Sequence, residues 1–85
     1  MPEITLYGTQ LCPYCRRAEQ LLKSKGINDL KKIAVDADPS QMDVMNARTG
    51  RRSLPQIFIG ETHVGGYDDL AALDRQGRLD TLLQG

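Results

Sequence analysis

The chain has 85 residues, with 11 basic and 11 acidic side chains and a formal net charge of zero. That length suits one small two-layer core, expected as a single domain over residues 1–85, and the balanced charge leaves no footprint for nucleic acid or a membrane surface. No apolar run approaches membrane-spanning length, and residues 1–5 lack a basic or apolar leader pattern, so a cytoplasmic protein is expected.

Glu3-Ile4-Thr5-Leu6-Tyr7 alternates polar and apolar residues and reads as a first strand closed by Gly8. Next comes Leu11-Cys12-Pro13-Tyr14-Cys15-Arg16-Arg17, which holds both cysteines of the chain. Two Cys three positions apart with Pro between them read as a strand-to-helix turn. Cys12 takes the N-cap and Pro13 the first helical position, where its missing N–H costs nothing. The Cys12 sulfur then lies over unpaired N–H groups and the positive end of the helix dipole. That placement, with Arg16 and Arg17 nearby, favours the anionic form of a thiol. Cys15 follows one turn later on the same face, within reach of a disulfide. A lone Cys-x-x-Cys is not a secreted disulfide framework. Nor does it make a zinc site, since two Cys and the distant His63 fall short of about four ligands. The spacing fits a reversible redox pair.

The helix spans 13–25, with Cys15, Ala18 and Leu22 on one stripe, Leu21 widening it and Gly26 as its stop. Lys32-Ile33-Ala34-Val35 reads as a short inner strand. Asp38-Pro39-Ser40-Gln41 opens a second helix, with Met42, Met45 and Thr49 aligned and the methionines as core fillers, stopping at Gly50. Arg51-Arg52 reads as a solvated loop. Gln56-Ile57-Phe58-Ile59 and Thr62-His63-Val64 form a hairpin around Gly60-Glu61, with His63 turned outward to solvent. Gly65-Gly66 breaks the hairpin, and Asp68 or Asp69 caps a helix with Leu70 and Leu73 inward, ending near Gly77. Leu79, Leu82 and Leu83 make a last short helix. The order β-α-β-α-β-β-α-α implies an α/β fold in which two βαβ crossovers make a parallel half and the hairpin adds an antiparallel edge. Helices cover both faces, and Cys12 stands at the carboxyl end of the first strand, where open α/β sheets place ligands. This is a minimal thioredoxin-like arrangement with a four-stranded mixed sheet.

Four segments together resemble the dithiol glutaredoxins: Cys12-Pro13-Tyr14-Cys15, Ser53-Leu54-Pro55-Gln56-Ile57-Phe58-Ile59, Val64-Gly65-Gly66-Tyr67-Asp68-Asp69-Leu70, and Gly77-Arg78-Leu79. They keep the family's order and approximate spacing over essentially the whole chain. The resemblance implies a glutathione-dependent thiol–disulfide oxidoreductase, with Cys12 as nucleophile, Cys15 as resolver and no metal. Its protein partners would be glutathionylated or disulfide-containing proteins, ribonucleotide reductase among the candidates, with glutathione reductase acting indirectly and the chain itself a monomer. Ser53-Leu54-Pro55 resembles the family's Thr-Val-Pro, in which a cis proline exposes the preceding backbone. Leu54 would then pair with the glutathione cysteine as an added strand does. Gly66, Tyr67 and Asp68 lead into a helix N-terminus suited to the γ-glutamyl carboxylate, with Asp68 on the ammonium. Tyr14 lines the cleft beside the sulfur. Many family members carry Lys three residues before the first Cys, where this chain has Thr9, and Arg16 and Arg51 are the candidates to stand in for it. Leu11 replaces the Thr commonly found just before the motif. The rival readings are a redoxin served by thioredoxin reductase, an iron–sulfur-bridged dimer, and a scaffold that keeps only the fold.

Overall fold

Strand β1 (Ile4–Gly8) has the alternating pattern of a half-exposed strand, yet in the computed structural model, which describes residues 2–85, every one of its residues is buried. Its place in the sheet is the reason. The chain runs β1, α1 (Pro13–Ser24), β2 (Lys31–Ala34), α2 (Ser40–Thr49), β3 (Gln56–Ile59), β4 (Thr62–Gly65), α3 (Tyr67–Arg75) and α4 (Leu79–Gln84). The sheet order is β2-β1-β3-β4, so β1 and β3, the two strands with no exposed residue, take the two inner positions.

Two expectations are corrected here. β2 is an edge strand, not an inner one: Lys31, Lys32 and Ala34 are exposed, and Val35, the buried apolar residue that made the stretch look inner, lies beyond the strand end. Lysines on an exposed edge discourage pairing with another chain. Also, only the first crossover joins parallel strands. β1 and β2 are parallel, but β3 returns antiparallel against β1, with Leu6 opposite Ile57 and Thr5 opposite Phe58. A strand buried on both faces needs a neighbour on each side, and β3 finds them in β1 and in its own hairpin partner β4.

The covering of both faces stands as expected. On one face Ile4, Leu6, Ile57 and Ile59 pack with Cys15, Ala18 and Leu22 of α1, Leu70 of α3 and Leu79 and Leu83 of α4. On the other, Tyr7, Val35 and Phe58 pack with Met45 of α2, and Met42 and Ile33 close the edges. Arg48 of α2 lies 3.9 Å over the Phe58 ring centre and donates to the Tyr7 hydroxyl at 2.8 Å. The start of α2 is shifted by one residue from the expected pattern: Pro39 holds the N-cap and offers no side-chain bond, while Asp38, just outside, accepts from the Ser40 N–H at 3.2 Å and the Ser40 hydroxyl at 2.6 Å. The helix itself begins at Ser40. Extra length in β4 is absorbed by a register shift where Ile57 faces Gly65 and Phe58 faces His63.

Candidate active site

Where β1 ends, the chain turns into α1 with Cys12 at the N-cap in extended conformation and Pro13 next. Cys12 is half-buried, and its Sγ accepts the backbone N–H of Cys15 at 3.3 Å. Both are free thiols. Cys15 is only 1 % exposed, and burial, together with its hydrogen bond to Cys12, pushes its thiol up to about 12. The two sulfurs, alike in sequence, are therefore unlike in reach: one at a helix start, one under it. Gly8 makes that packing possible, because a Cβ there would stand 2.7 Å from the Cys15 Sγ.

Tyr14, Leu54, Pro55, Gly66, Tyr67 and Asp68 all line one cavity of about 250 Å³, together with Arg51, Ser53 and Asp69. Residues from three separate parts of the chain thus meet at one place. Cys12 is not on that wall; it stands at the helix start from which Tyr14 reaches into it. The Leu54–Pro55 peptide is cis, as the family resemblance implied. The Tyr14 and Tyr67 rings lie 6.2 Å apart, and the Arg17 guanidinium is 5.3 Å over Tyr14. Arg16 donates to the Gln10 carbonyl at 2.9 Å and does not line the cavity. Thr9 lies elsewhere too, in a separate depression with Gly8, Gln10, Glu19 and Lys32. Of the two arginines considered as stand-ins for a lysine, Arg51 alone is on the cavity wall.

The opening of α3 differs from expectation. Neither Asp68 nor Asp69 is the N-cap. Gly66 is, and Asp69, at the third helical position, reaches back to accept the Gly66 N–H at 2.9 Å. This is half of a capping box, since Gly66 has no side chain to return the bond. Gly65, at φ +114, leaves room for it, because a Cβ there would overlap the Asp69 carboxylate. Asp69 also pairs with Arg51 at 3.4 Å. Arg51 is thus a wall residue of the cavity as well as an exposed loop residue, and the sequence held no local signal for the pairing across 18 positions. Ser53 and Asp69 join the wall too, each from a segment that carries the family resemblance. Ser53 could have been suspected from its place before Leu-Pro.

His63 is not a solvated edge residue. Its ring stacks on Phe58 with centres 5.1 Å apart, and its Nε2 lies 2.8 Å from Gln56 Oε1. Burial, followed by the charge of Arg51, holds its pKa below the usual 6.5. His63 is half-buried on this edge strand because the Phe58 ring and the Gln56 amide shelter it.

A cysteine pair at a helix start beside a cis-proline cavity, on a four-stranded mixed sheet with helices on both faces, is the site of a thiol–disulfide oxidoreductase of thioredoxin-like fold. The comparisons narrow the class. The glutaredoxin family model matches residues 4–64. The chain is 52 % identical over 83 residues to a glutaredoxin of Pseudomonas aeruginosa, covering 98 % of each. It is 44 % identical over 84 residues to glutaredoxin 3 of Escherichia coli strain K12, covering 99 % of this chain and 100 % of that one. Its fold is similar to that of a buckwheat glutaredoxin in complex with glutathione, with a TM-score of 0.89 at 27 % identity over 98 % of this chain and 77 % of that one. This chain belongs to the glutaredoxin family, whose general role is glutathione-dependent thiol–disulfide exchange.

Proposed function

We propose that this chain, as one unit over residues 1–85, reduces protein–glutathione mixed disulfides through Cys12 and protein disulfides through the Cys12–Cys15 pair. The observation that carries the reading is the convergence of Tyr14, Leu54, Pro55, Gly66, Tyr67 and Asp68 on one cavity at the Cys12 end of α1. The Cys12 thiolate attacks the glutathione sulfur of the mixed disulfide, a Cys12–glutathione disulfide forms, and the protein thiolate leaves and takes up a proton. The thiolate of a second glutathione attacks the bound glutathione sulfur, releasing glutathione disulfide and returning Cys12. With a protein disulfide, Cys12 forms the mixed disulfide and the Cys15 sulfur displaces the protein thiol. Glutathione then reduces the Cys12–Cys15 bond in two exchanges.

Glutathione brings an ammonium, two carboxylates and peptide groups, and the cavity offers a partner for each. The Leu54 backbone pairs with its cysteine as an added strand. The first-turn N–H groups of Tyr67 and Asp68 face its γ-glutamyl carboxylate, the Gly66 N–H being engaged by Asp69. The Asp68 carboxylate meets the ammonium, and Arg51 takes the place of the missing lysine toward the glycine carboxylate. The protein targets are glutathionylated and disulfide-containing proteins, with ribonucleotide reductase a candidate. The chain works as a monomer in the cytoplasm, a reading supported by its lone Cys pair, which is no secreted disulfide framework.

The deciding experiment is turnover of a glutathionylated peptide coupled to glutathione reductase and NADPH. Cys15→Ser is expected to keep the deglutathionylation and Cys12→Ser to abolish it. Equal loss in both variants would reject this division of roles. Activity that needs thioredoxin reductase and not glutathione would reject glutathione as the partner.

A further inference from the structure

Gln56 is fully buried at the head of β3, with both ends of its side-chain amide engaged. Its Nε2 donates to the Ser53 carbonyl at 3.0 Å and the Ser53 hydroxyl oxygen at 3.1 Å. A carbonyl can only accept, so the amide is oriented with its nitrogen toward Ser53 and its oxygen toward His63. His63 Nε2, 2.8 Å from that oxygen, therefore carries the proton and donates. The ring is held in place by Phe58 below it, itself under the Arg48 guanidinium. The result is an unbroken chain of hydrogen bonds from β4 to Ser53. Ser53 lines the cavity and immediately precedes Leu54 and the cis Pro55.

We propose that His63 is a positioning residue for the glutathione cavity: through Gln56 it fixes the Ser53 end of the Ser53-Leu54-Pro55 segment in the geometry that receives the glutathione backbone. The inference rests on the reading of Leu54 as the glutathione-pairing residue. Ser53 is in an irregular segment between α2 and β3, where strand pairing does not hold it. The Gln56 amide supplies the missing constraint. Gln56 in turn is held only while its oxygen is satisfied, since a buried acceptor without a donor would seek another rotamer. Among the described residues the hydrogen bond of His63 goes to Gln56 and not to Cys12 or Cys15, so its part lies outside the exchange itself. Its influence is on how well the glutathionyl group is received, and the small neutral imidazole suits a place between a buried amide and an aromatic ring.

The test compares His63→Phe, which keeps a ring on Phe58 and removes the donor, with His63→Gln, which restores an N–H donor. For His63→Phe, the KM for a glutathionylated peptide is expected to rise about tenfold, the order that re-ordering a loosened Ser53 segment on binding costs. The kcat and the rate of Cys12 alkylation by iodoacetamide are expected to stay within about twofold, a split that general loosening of the fold would not produce. His63→Gln should recover most of the KM. An unchanged KM in folded His63→Phe would overturn the inference and leave the glutathione reading intact. Wild-type turnover that fails to saturate with the glutathionylated peptide would overturn that reading itself, and the inference with it. A measurement on the wild type covers the case of a variant that does not fold. Nitrogen-15 NMR of His63 at neutral pH should show the proton on Nε2, and a proton on Nδ1 alone would overturn the relay.

Discussion

The backbone N–H of Cys15 points at the sulfur of Cys12, 3.3 Å away, while the Cys15 thiol itself is turned under the helix at 1 % exposure. One residue of the pair thus stabilises the other's sulfur through its backbone and withholds its own. Alkylation should report the asymmetry directly. At pH 8, iodoacetamide is expected to modify Cys12 at least about a hundredfold faster than Cys15, because the thiolate is the reacting form and a thiol near 12 supplies almost none. Mass spectrometry of the reduced protein should show a single adduct, mapped to Cys12, long before a second. Two adducts growing together would contradict the buried placement of Cys15.

Gly8 is there for Cys15. A methyl group at that position would meet the Cys15 Sγ at 2.7 Å and Leu6 Cδ2 at 2.9 Å, both of them core atoms with little room to give. Gly8→Ala is expected to destabilise the reduced protein by about 1–3 kcal/mol, the usual cost of overpacking. Chemical denaturation under reductant gives the value, and a double-mutant cycle locates it. In a Cys15→Ala background the penalty should shrink, since the nearer of the two clashes is gone. A penalty of the same size in both backgrounds would place the strain elsewhere.

The sequence made the elements and the cysteine pair legible because local chemistry decides them: Pro13 after Cys12, Asp38 before Pro39, apolar stripes at helical spacing. What it could not show depended on which strands became neighbours. The Ile33-Ala34-Val35 run looked inner and proved an edge, because burial of Val35 comes from the packing of α2 and not from strand pairing. Thr5, a polar member of the alternation in β1, is buried together with Tyr7 because β1 is covered on both sides. The cavity residues were readable as a family pattern, but Arg51 and Asp69 meet only through the fold, and the His63–Gln56–Ser53 chain joins three residues whose side-chain types carry no positional signal.

Two adjacent aspartates at the start of α3 have separate tasks, and mutation should part them. Asp69 accepts the Gly66 N–H at 2.9 Å, so Asp69→Ala is expected to lower stability by about 1 kcal/mol, as loss of a helix cap does. Its half-exposed pair with Arg51 at 3.4 Å adds little to that. Asp68 is exposed on the cavity wall, and Asp68→Ala should leave stability within about 0.5 kcal/mol while raising the KM for a glutathionylated peptide several-fold. Thermal or denaturant unfolding of both variants beside their kinetics checks the contrast. A stability loss in Asp68→Ala equal to that of Asp69→Ala would assign both residues to the cap.

The buried Cys15 thiol also ties stability to alkaline pH. In the unfolded chain it loses its proton near the ordinary 9.0, whereas in the fold it holds it to about 12, chiefly because burial penalises the thiolate. Between those values the native state binds a proton that the unfolded state has released. The contribution is therefore complete below pH 9 and is lost as pH rises toward 12, at up to about 1.4 kcal/mol per pH unit. Guanidinium unfolding at pH 7.5 and 10.5 under reductant should show a larger loss for the wild type than for Cys15→Ala, by about 1–2 kcal/mol over the interval. Lysines and tyrosines titrate in both proteins and cancel in the comparison. Oxidation to the Cys12–Cys15 disulfide removes the same proton, so the oxidised wild type should follow the shallower dependence of the variant. Parallel pH dependences in all three would mean that Cys15 is solvated in the reduced fold.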